Sequence, residues 1–523
     1  MHRRSLLAMA AGAAALPRPG TAQGAARVLR FVPQADLTVL DPIWTAAHVT
    51  RHHSYLVFDT LYGQDSRIGV SPQMVEGHVV AADGLDWTLT LRPGLRFHDG
   101  EPVLARDCVA SIRRWGRRDV LGRLLLAATT ELSAPDDRTI RFRLSRPFPQ
   151  LPQALGKAGA NVCVIMPERL ARTDAFTQVT EMVGSGPFRF VAGEQVAGAR
   201  VVYERFEGYV PRPSGTPDFM AGPKPVHFDR VEWRTAPDPG TAVAALQAGE
   251  VDWVEQPLVD LLPLLRRNRA VAVETLDPLG YVGILRVNHL HPPFDNPAIR
   301  RALLHAVDQA DFMRAVAGDD ASQWRDGVGM FCPGSPPASD AGIEAITAPR
   351  DVERARREIR EAGYRGERVV LLAANDIPSS KAASEVAADL LRRVGLNLDY
   401  QAMDWGTVVQ RRAKREAPEA GGWNAFCTFN SGLDQASPAT HIWLAASGAA
   451  AAPGWPDSPA LEALRTGWLS AADPAAVARD LQRQALQDVP YVPIGQYFYA
   501  TAYRRMLTGM LKGFPVFWNL RRA

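Results

Sequence analysis

The chain has 523 residues, enough to divide into two or more domains with sizeable cores. It holds 59 basic and 56 acidic residues, and the excess is accounted for by Arg3, Arg4 and Arg18, since the first 22 residues carry no acid. Without that segment the chain is formally neutral, which argues against nucleic acid, where a basic footprint is needed, and against attachment to an anionic membrane.

Residues 1–22 read as an export signal. Arg3 and Arg4 lead into an apolar run from Leu6 to Leu16, too short to span a bilayer, and the small residues Thr21 and Ala22 follow. Arg3-Arg4-Ser5-Leu6-Leu7 is compatible with a twin-arginine signal, and equally with a general secretory one. Cleavage after Ala22 leaves no nearby cysteine to accept a lipid, so the expected product is a periplasmic protein without a lipid anchor. Cys108, Cys163, Cys332 and Cys427 lie too far apart for zinc or redox spacings and read as isolated buried thiols.

Further along, Trp87, Leu89 and Leu91 alternate with threonines, the period of a half-buried strand. Pro93-Gly94 turns the chain, Leu95 and Phe97 continue the pattern, and Asp99-Gly100 turns it again. A helix around Asp107 to Trp115 precedes a second alternating run, Ile140, Phe142 and Leu144. Residues 231–254 read as strand, helix, strand, with Thr241 as the helix cap and Gly249 as its stop. Asn296-Pro297 opens another helix, with Ile299, Leu303, Leu304 and Val307 as its buried stripe. The strand–helix–strand unit recurs at Val369 to Ala373, a helix opened by Ser380 and ended by Gly395, and Leu396 to Tyr400. Such units imply parallel pairing with right-handed crossovers, hence two α/β sheets, one on each side of about residue 280. No low-complexity linker separates them, which favours a hinged clamshell over tethered beads.

Taken in order, these segments resemble the extracellular solute-binding protein family 5, which includes dipeptide, oligopeptide and nickel binders of ABC importers. The most specific match is WTLTLRPGLRFHDGEP from Trp87 to Pro102, followed by Gly184-Ser185-Gly186-Pro187-Phe188, Ala245 to Asp252, Pro293-Phe294-Asp295-Asn296 and Arg300-Arg301-Ala302-Leu303. The resemblance implies an α/β fold of type II periplasmic-binding-protein form: 23–280 as the first part of lobe I with an inserted subdomain at about 50–180, 281–488 as lobe II, and 489–523 returning to lobe I. Hinges are expected near Leu279 to Val287 and near Asp488 to Pro493. It further implies a monomer that takes a small solute, peptide-like before opines, sugars or metal chelates, to an inner-membrane ABC permease, with no cofactor.

Family ligands contact a strand and loop that here resemble Trp423 to Asp434, where Asp434 is the candidate partner of a ligand amine. Ser437-Pro438 stands where relatives often carry Asp-Pro, and the alternative for Asp434 is a turn cap. Phe429 and Trp405 are candidate apolar walls, Asn430 and the backbone beside Gly432 candidate polar contacts, and His48 and Tyr281 further candidates by position. His52-His53 and His289-x-His291 invite a metal, but lack carboxylates or thiolates at ligand spacing, so no protein-bound metal is expected. The sequence has no His-Glu-x-x-His helix, Gly-x-Ser-x-Gly elbow or Gly-x-x-x-x-Gly-Lys loop, so an enzyme is not expected. Distant paired carboxylates of a glycosidase leave no motif and are disfavoured by the resemblance alone. A chaperone or sensor partner on the same clamshell is the remaining alternative.

Overall fold

In the computed structural model, which describes residues 27–236 and 238–523, alternating sequence and alternating burial coincide. The export-signal reading of residues 1–22 lies outside the described residues. Trp87, Leu89 and Leu91 of strand Asp86–Leu91 are buried, as are Ile140, Phe142 and Leu144 of its antiparallel partner Thr139–Leu144. Val75–Val80 and Thr129–Ser133 flank this pair in a four-stranded sheet. Helix Ala105–Gly116 packs on it, followed by Val120–Ala128, whose cap Asp119 accepts the Gly122 N–H at 2.9 Å. Leu95 and Phe97 are buried, yet they lie in irregular chain after the strand and not in a strand of their own.

The large sheet of the first lobe draws on both ends of the chain. Its seven strands run in the order Val271–Glu274, Thr501–Arg504, Trp253–Val254, Val28–Val32, Arg230–Arg234, Arg200–Arg205 and Phe188–Phe190. Val28–Val32 is parallel to both Arg230–Arg234 and Trp253–Val254, which helix Pro239–Ala248 connects. The cap of that helix is Asp238 and not Thr241: the aspartate oxygen accepts the Thr241 N–H, because the chain bends into the helix before Pro239. Phe31 meets Trp253 and Phe517 edge-on at 4.9 and 5.1 Å, joining the N-terminal, middle and C-terminal segments in one core.

The second lobe carries a six-stranded sheet ordered Trp324–Arg325, Tyr491–Tyr497, Tyr281–Val287, Ala425–Ser431, Arg368–Ala374 and Asn397–Met403. Arg368–Ala374 pairs in parallel with both neighbours, and helix Pro378–Arg393 makes the crossover to Asn397–Met403. That helix starts at Pro378, ahead of Ser380. Asn296 caps helix Pro297–Leu304 by accepting the Ala298 N–H at 2.9 Å.

Both lobe crossings are displaced from their expected places. The first is the stretch 275–280, since Tyr281–Val287 is already the wholly buried central strand of the second sheet. The second is 498–500, because Tyr491–Tyr497 stays in the second lobe and the return begins with Thr501–Arg504. Pro493, expected to stiffen a hinge, instead sits inside a strand at a bulge, where Ile494 and Gly495 together oppose Gly283. Its missing N–H falls where the ladder is already interrupted, and Gly495 adopts φ 106°.

Arg286, on the central strand, is entirely buried and makes no salt bridge among the described residues. It donates to the carbonyls of Pro453 at 2.8 Å, Trp443 at 2.9 Å, Pro490 at 2.8 Å and Ala452 at 3.1 Å, so one guanidinium ties three loops to the sheet. Burial lowers its pKa to about 9, which still leaves it charged near neutrality. Arg286→Met is expected to lower the unfolding free energy by about 3–5 kcal/mol, because four buried carbonyls lose a charged donor. Chemical denaturation followed by circular dichroism measures this; a loss under about 1 kcal/mol would mean that the loops find other donors.

Candidate ligand-binding cleft

The lobes enclose a cavity of about 970 Å³, in the size range of solute sites, with walls from the second sheet, from the chain that follows strands Val28–Val32 and Trp253–Val254 of the first, and from the region between Gln64 and Asn161. Six of the seven residues singled out in the sequence line it: His48, Tyr281, Trp405, Phe429, Asn430 and Asp434. Gly432 does not. It is packed under the loop, where a Cβ would press on the Leu279 carbonyl and the Cys332 sulfur, and its N–H donates to the Gly280 carbonyl at 2.8 Å. Its backbone therefore serves the lobe crossing and is not offered to a ligand.

Asp434 follows strand Ala425–Ser431 in the short turn Gly432–Gln435. Its Oδ1 accepts the Ala160 N–H at 2.9 Å, a hydrogen bond from one lobe to the other. On the far side, the Lys157 ammonium bonds the Ala160 carbonyl and pairs with Asp119 at 2.9 Å, both side chains being largely buried. A second bridge lies deeper. His48, the first residue of helix His48–Val57, is hydrogen-bonded through Nδ1 to the Tyr281 hydroxyl at 2.6 Å. Burial, helped by the Arg51 charge and opposed by Asp434, pushes the His48 pKa down to about 3, so the ring is neutral in this bridge. Tyr281 also stacks on Tyr497 with ring centres 5.6 Å apart.

The second-lobe wall is aromatic and carries two polar groups. Phe429 meets Tyr497 edge-on at 5.1 Å. Asn430 Oδ1 accepts the Trp443 indole N–H at 2.8 Å, which leaves its buried Nδ2 without an acceptor among the described residues. Trp405 opens helix Trp405–Arg412, capped by Asp404, and Arg412 ends it over the Trp405 ring at 5.0 Å. Arg412, Trp443 and Lys157 also line the cavity and were missed in the sequence. For Arg412 a signal existed: seven residues after Trp405, it falls on the same helix face.

Of the histidine pairs, His53, His52 and His291 have contacts of their own, while both ring nitrogens of His52 and Nε2 of His289 have no hydrogen-bond partner among the described residues. His53 is hydrogen-bonded to the Tyr203 hydroxyl at 2.8 Å, His52 stacks on Phe514 at 5.0 Å, and His291 Nε2 pairs with the Arg415 carbonyl at 2.8 Å. Among the described residues no three His, Cys, Asp or Glu side chains gather as metal ligands. The four cysteines are buried and unpaired, and burial pushes their thiols up.

Two α/β lobes, crossed twice by the chain and closed on one polar and aromatic cavity, define a type II periplasmic-binding clamshell. The chain belongs to the bacterial extracellular solute-binding proteins, family 5, whose middle region matches residues 69–447. It is 39% identical over 535 residues, covering 100% of both chains, to a probable peptide ABC transporter periplasmic-binding protein of Sinorhizobium fredii. Among solved structures it is similar to the periplasmic binding protein AgaA of A. tumefacien R10 in complex with agropinic acid (TM-score 0.77, 20% identity, 95% of this chain and 99% of that one). DppA of Helicobacter pylori in complex with the peptide STSA is alike to the same degree (TM-score 0.77, 20% identity, 95% and 98%).

Next to cavity residues Gln34 and Gln256, Glu255 is fully buried, its Oε2 accepting the Gln34 N–H at 2.8 Å and its Oε1 lying 3.5 Å from His52 Nδ1. Burial raises its pKa from 4.5 to about 7, against the opposing pull of that N–H and of Arg51. Between those values the folded chain holds a proton that the unfolded chain has lost, so this group's contribution to stability falls as the pH rises through the window. Glu255→Gln cannot ionise and keeps the acceptor for Gln34. Its stability relative to the wild type is expected to rise by about 3 kcal/mol from pH 4.5 to above 7, read by denaturation at each pH. A pH-independent difference would show that Glu255 is already ionised throughout.

Proposed function

We propose that the protein captures a short peptide or peptide-like solute in the periplasm and, with its lobes closed, presents it as a monomer to an inner-membrane ABC permease. Export by residues 1–22, through the general secretory or the twin-arginine route, belongs to this reading, and catalysis does not. The observation that carries it is Asp434. It spans the cleft to a backbone N–H of the opposite lobe, and its Oδ2 has no hydrogen-bond partner among the described residues. A carboxylate so placed suits an amine or amide N–H of an entering solute, the groups that a peptide supplies at its amino end. The relatives agree in kind: beside the Sinorhizobium protein, a glutathione-binding protein of Pectobacterium atrosepticum is 25% identical over 97% of this chain. The solved neighbours are in complex with agropinic acid and with a peptide.

Native mass spectrometry of protein isolated from its own periplasm, followed by denaturing release, is expected to yield one small solute per chain. An empty protein with no thermal shift across peptide, opine, sugar and metal-chelate libraries would favour a chaperone or sensor role instead. Asp434→Asn keeps the oxygen that receives the Ala160 N–H and removes only the charge. It is expected to weaken an amine-bearing peptide by at least about 2 kcal/mol, roughly thirtyfold, in isothermal titration calorimetry. Unchanged affinity would take Asp434 out of the site.

A further inference from the structure

We propose that Ile68 and Leu433 form an apolar latch between the lobes, which favours their closed arrangement before any solute enters the cleft. The latch concerns the lobes themselves and is independent of which solute they take. Ile68 stands at the tip of the hairpin formed by strands Tyr62–Gln64 and Val70–Pro72. Tyr62 is buried in the first-lobe core and Val70 packs against it, so the hairpin belongs to that lobe. The Ile68 side chain, however, packs on a separate apolar cluster made of Leu279 in the first link, Val282 in the central strand of the second sheet, Val328 and Cys332. Leu433 makes the reciprocal contact. It lies in the turn Gly432–Gln435 of the second lobe and packs both on that cluster and on the first-lobe core. Each lobe thus lends one half-buried aliphatic side chain to the other.

The hairpin holds Ile68 there against its own backbone preference. Ile68 has φ 69°, in the left-handed region that a β-branched residue avoids because its Cβ crowds the following carbonyl. Asp65 imposes this turn. Its N–H donates to the Gly69 carbonyl at 2.8 Å and its carbonyl accepts the Ile68 N–H at 3.1 Å, while its Oδ1 accepts the N–H groups of Arg67 at 2.9 Å and Gly69 at 2.7 Å. Glycine or asparagine would meet the same turn with less strain, so the turn by itself does not call for isoleucine. What isoleucine adds is a branched apolar side chain, and its seat against the buried Leu279, Val282, Val328 and Cys332 offsets the strain. Strain at one residue, offset by contact with the other lobe, is the makings of a two-position device: when the lobes part, Ile68 loses its seat and keeps its strain.

The latch lies on the cleft side of the links. Ile68 and Leu433 both line the cavity, and Leu433 precedes Asp434, whose Oδ1 crosses to the Ala160 N–H. Separation of the lobes on this side therefore breaks an apolar and a polar contact together, since Leu433 and Asp434 leave the first lobe as Ile68 leaves the second. None of these contacts passes through a solute. A solute that enters between lobes already favoured in their closed arrangement spends less of its binding free energy on bringing them together.

The test compares the wild type with Ile68→Asn, Ile68→Gly and Ile68→Leu, each freed of bound solute by unfolding and refolding, through small-angle X-ray scattering and amide hydrogen exchange. Asparagine and glycine accept the backbone of the turn but give the cluster no aliphatic side chain, whereas leucine keeps one. The wild type is expected to scatter as the closed structure, and Ile68→Asn and Ile68→Gly to show a larger radius of gyration. Exchange at the Ala160 amide, whose hydrogen bond spans the cleft, is expected to be at least about tenfold faster in those two variants and within about threefold of the wild type in Ile68→Leu. Exchange at the Gly432 amide, whose bond to the Gly280 carbonyl does not cross the cleft, is expected to stay unchanged, which separates opening of the lobes from fraying of the loop. Four results would each overturn the latch: unchanged exchange at Ala160 in Ile68→Asn and Ile68→Gly, equal acceleration at Gly432, equal acceleration in Ile68→Leu, or a wild type that scatters as an open form. Because none of these readings involves a solute, the latch can fail while the solute receptor stands.

Discussion

The lobes are joined where paired residues of one sheet hand over to paired residues of the other. Glu274 lies opposite Thr501 in the first sheet, Tyr281 lies opposite Tyr497 in the second, and only 275–280 and 498–500 run between them. Two short links that leave neighbouring strands together act as one hinge, which confines relative movement of the lobes to a rotation about that line. Gly280 makes the first link fit: it holds φ 48°, and a Cβ there would collide with the Tyr497 carbonyl. Its own carbonyl receives the Gly432 N–H, two residues before Asp434. The loop that carries the cleft acid is therefore anchored to the first link, and the same loop reaches Ala160 of the opposite lobe through Asp434.

Around this hinge the protein treats its buried charges in contrasting ways. Asp41 and Arg114 form a buried pair at 2.6 Å, and Asp59 with Lys224 another at 2.7 Å, each neutralised inside the first lobe. Arg286 has no acid but is satisfied by carbonyls. Asp434 and Arg412, on the cleft wall, have neither kind of full compensation. The two buried pairs and Arg286 draw their partners from their own lobe, whereas Asp434 takes its hydrogen bond from the opposite one. The neutral bridge from His48 to Tyr281 fits this division, because it joins the lobes without spending charge beside the cavity.

Local signals located most elements but not every boundary: Thr241 and Ser380 each lie inside the helix that they were expected to open. Strands 86–91 and 139–144 have one face on the core, so apolar residues recur with period two. Asn296-Pro297 caps its helix through atoms two residues apart, and Gly249 closes another through its own left-handed backbone. The hinges were misplaced for the complementary reason. Tyr281–Val287 and Tyr491–Tyr497 are buried almost throughout, so they show no alternation, and Pro490 and Pro493 looked like breaks. A bulge that absorbs a proline depends on the partner strand more than two hundred residues away in the chain, which no local pattern encodes.

The sequence by itself determined the α/β class and the two sheets, through periodicity and capping, and the family, through ordered motifs; the segment with Asp434, Phe429 and Asn430 was what the family resemblance implied. Tertiary structure alone decided that Gly432 packs at the first link, that Asp434 reaches Ala160, and that Arg412 stands over three rings with no acceptor among the described residues. Those outcomes turn on which groups are brought within about 3 to 6 Å of one another by folding, and an arginine left without a partner looks the same in sequence as one with four.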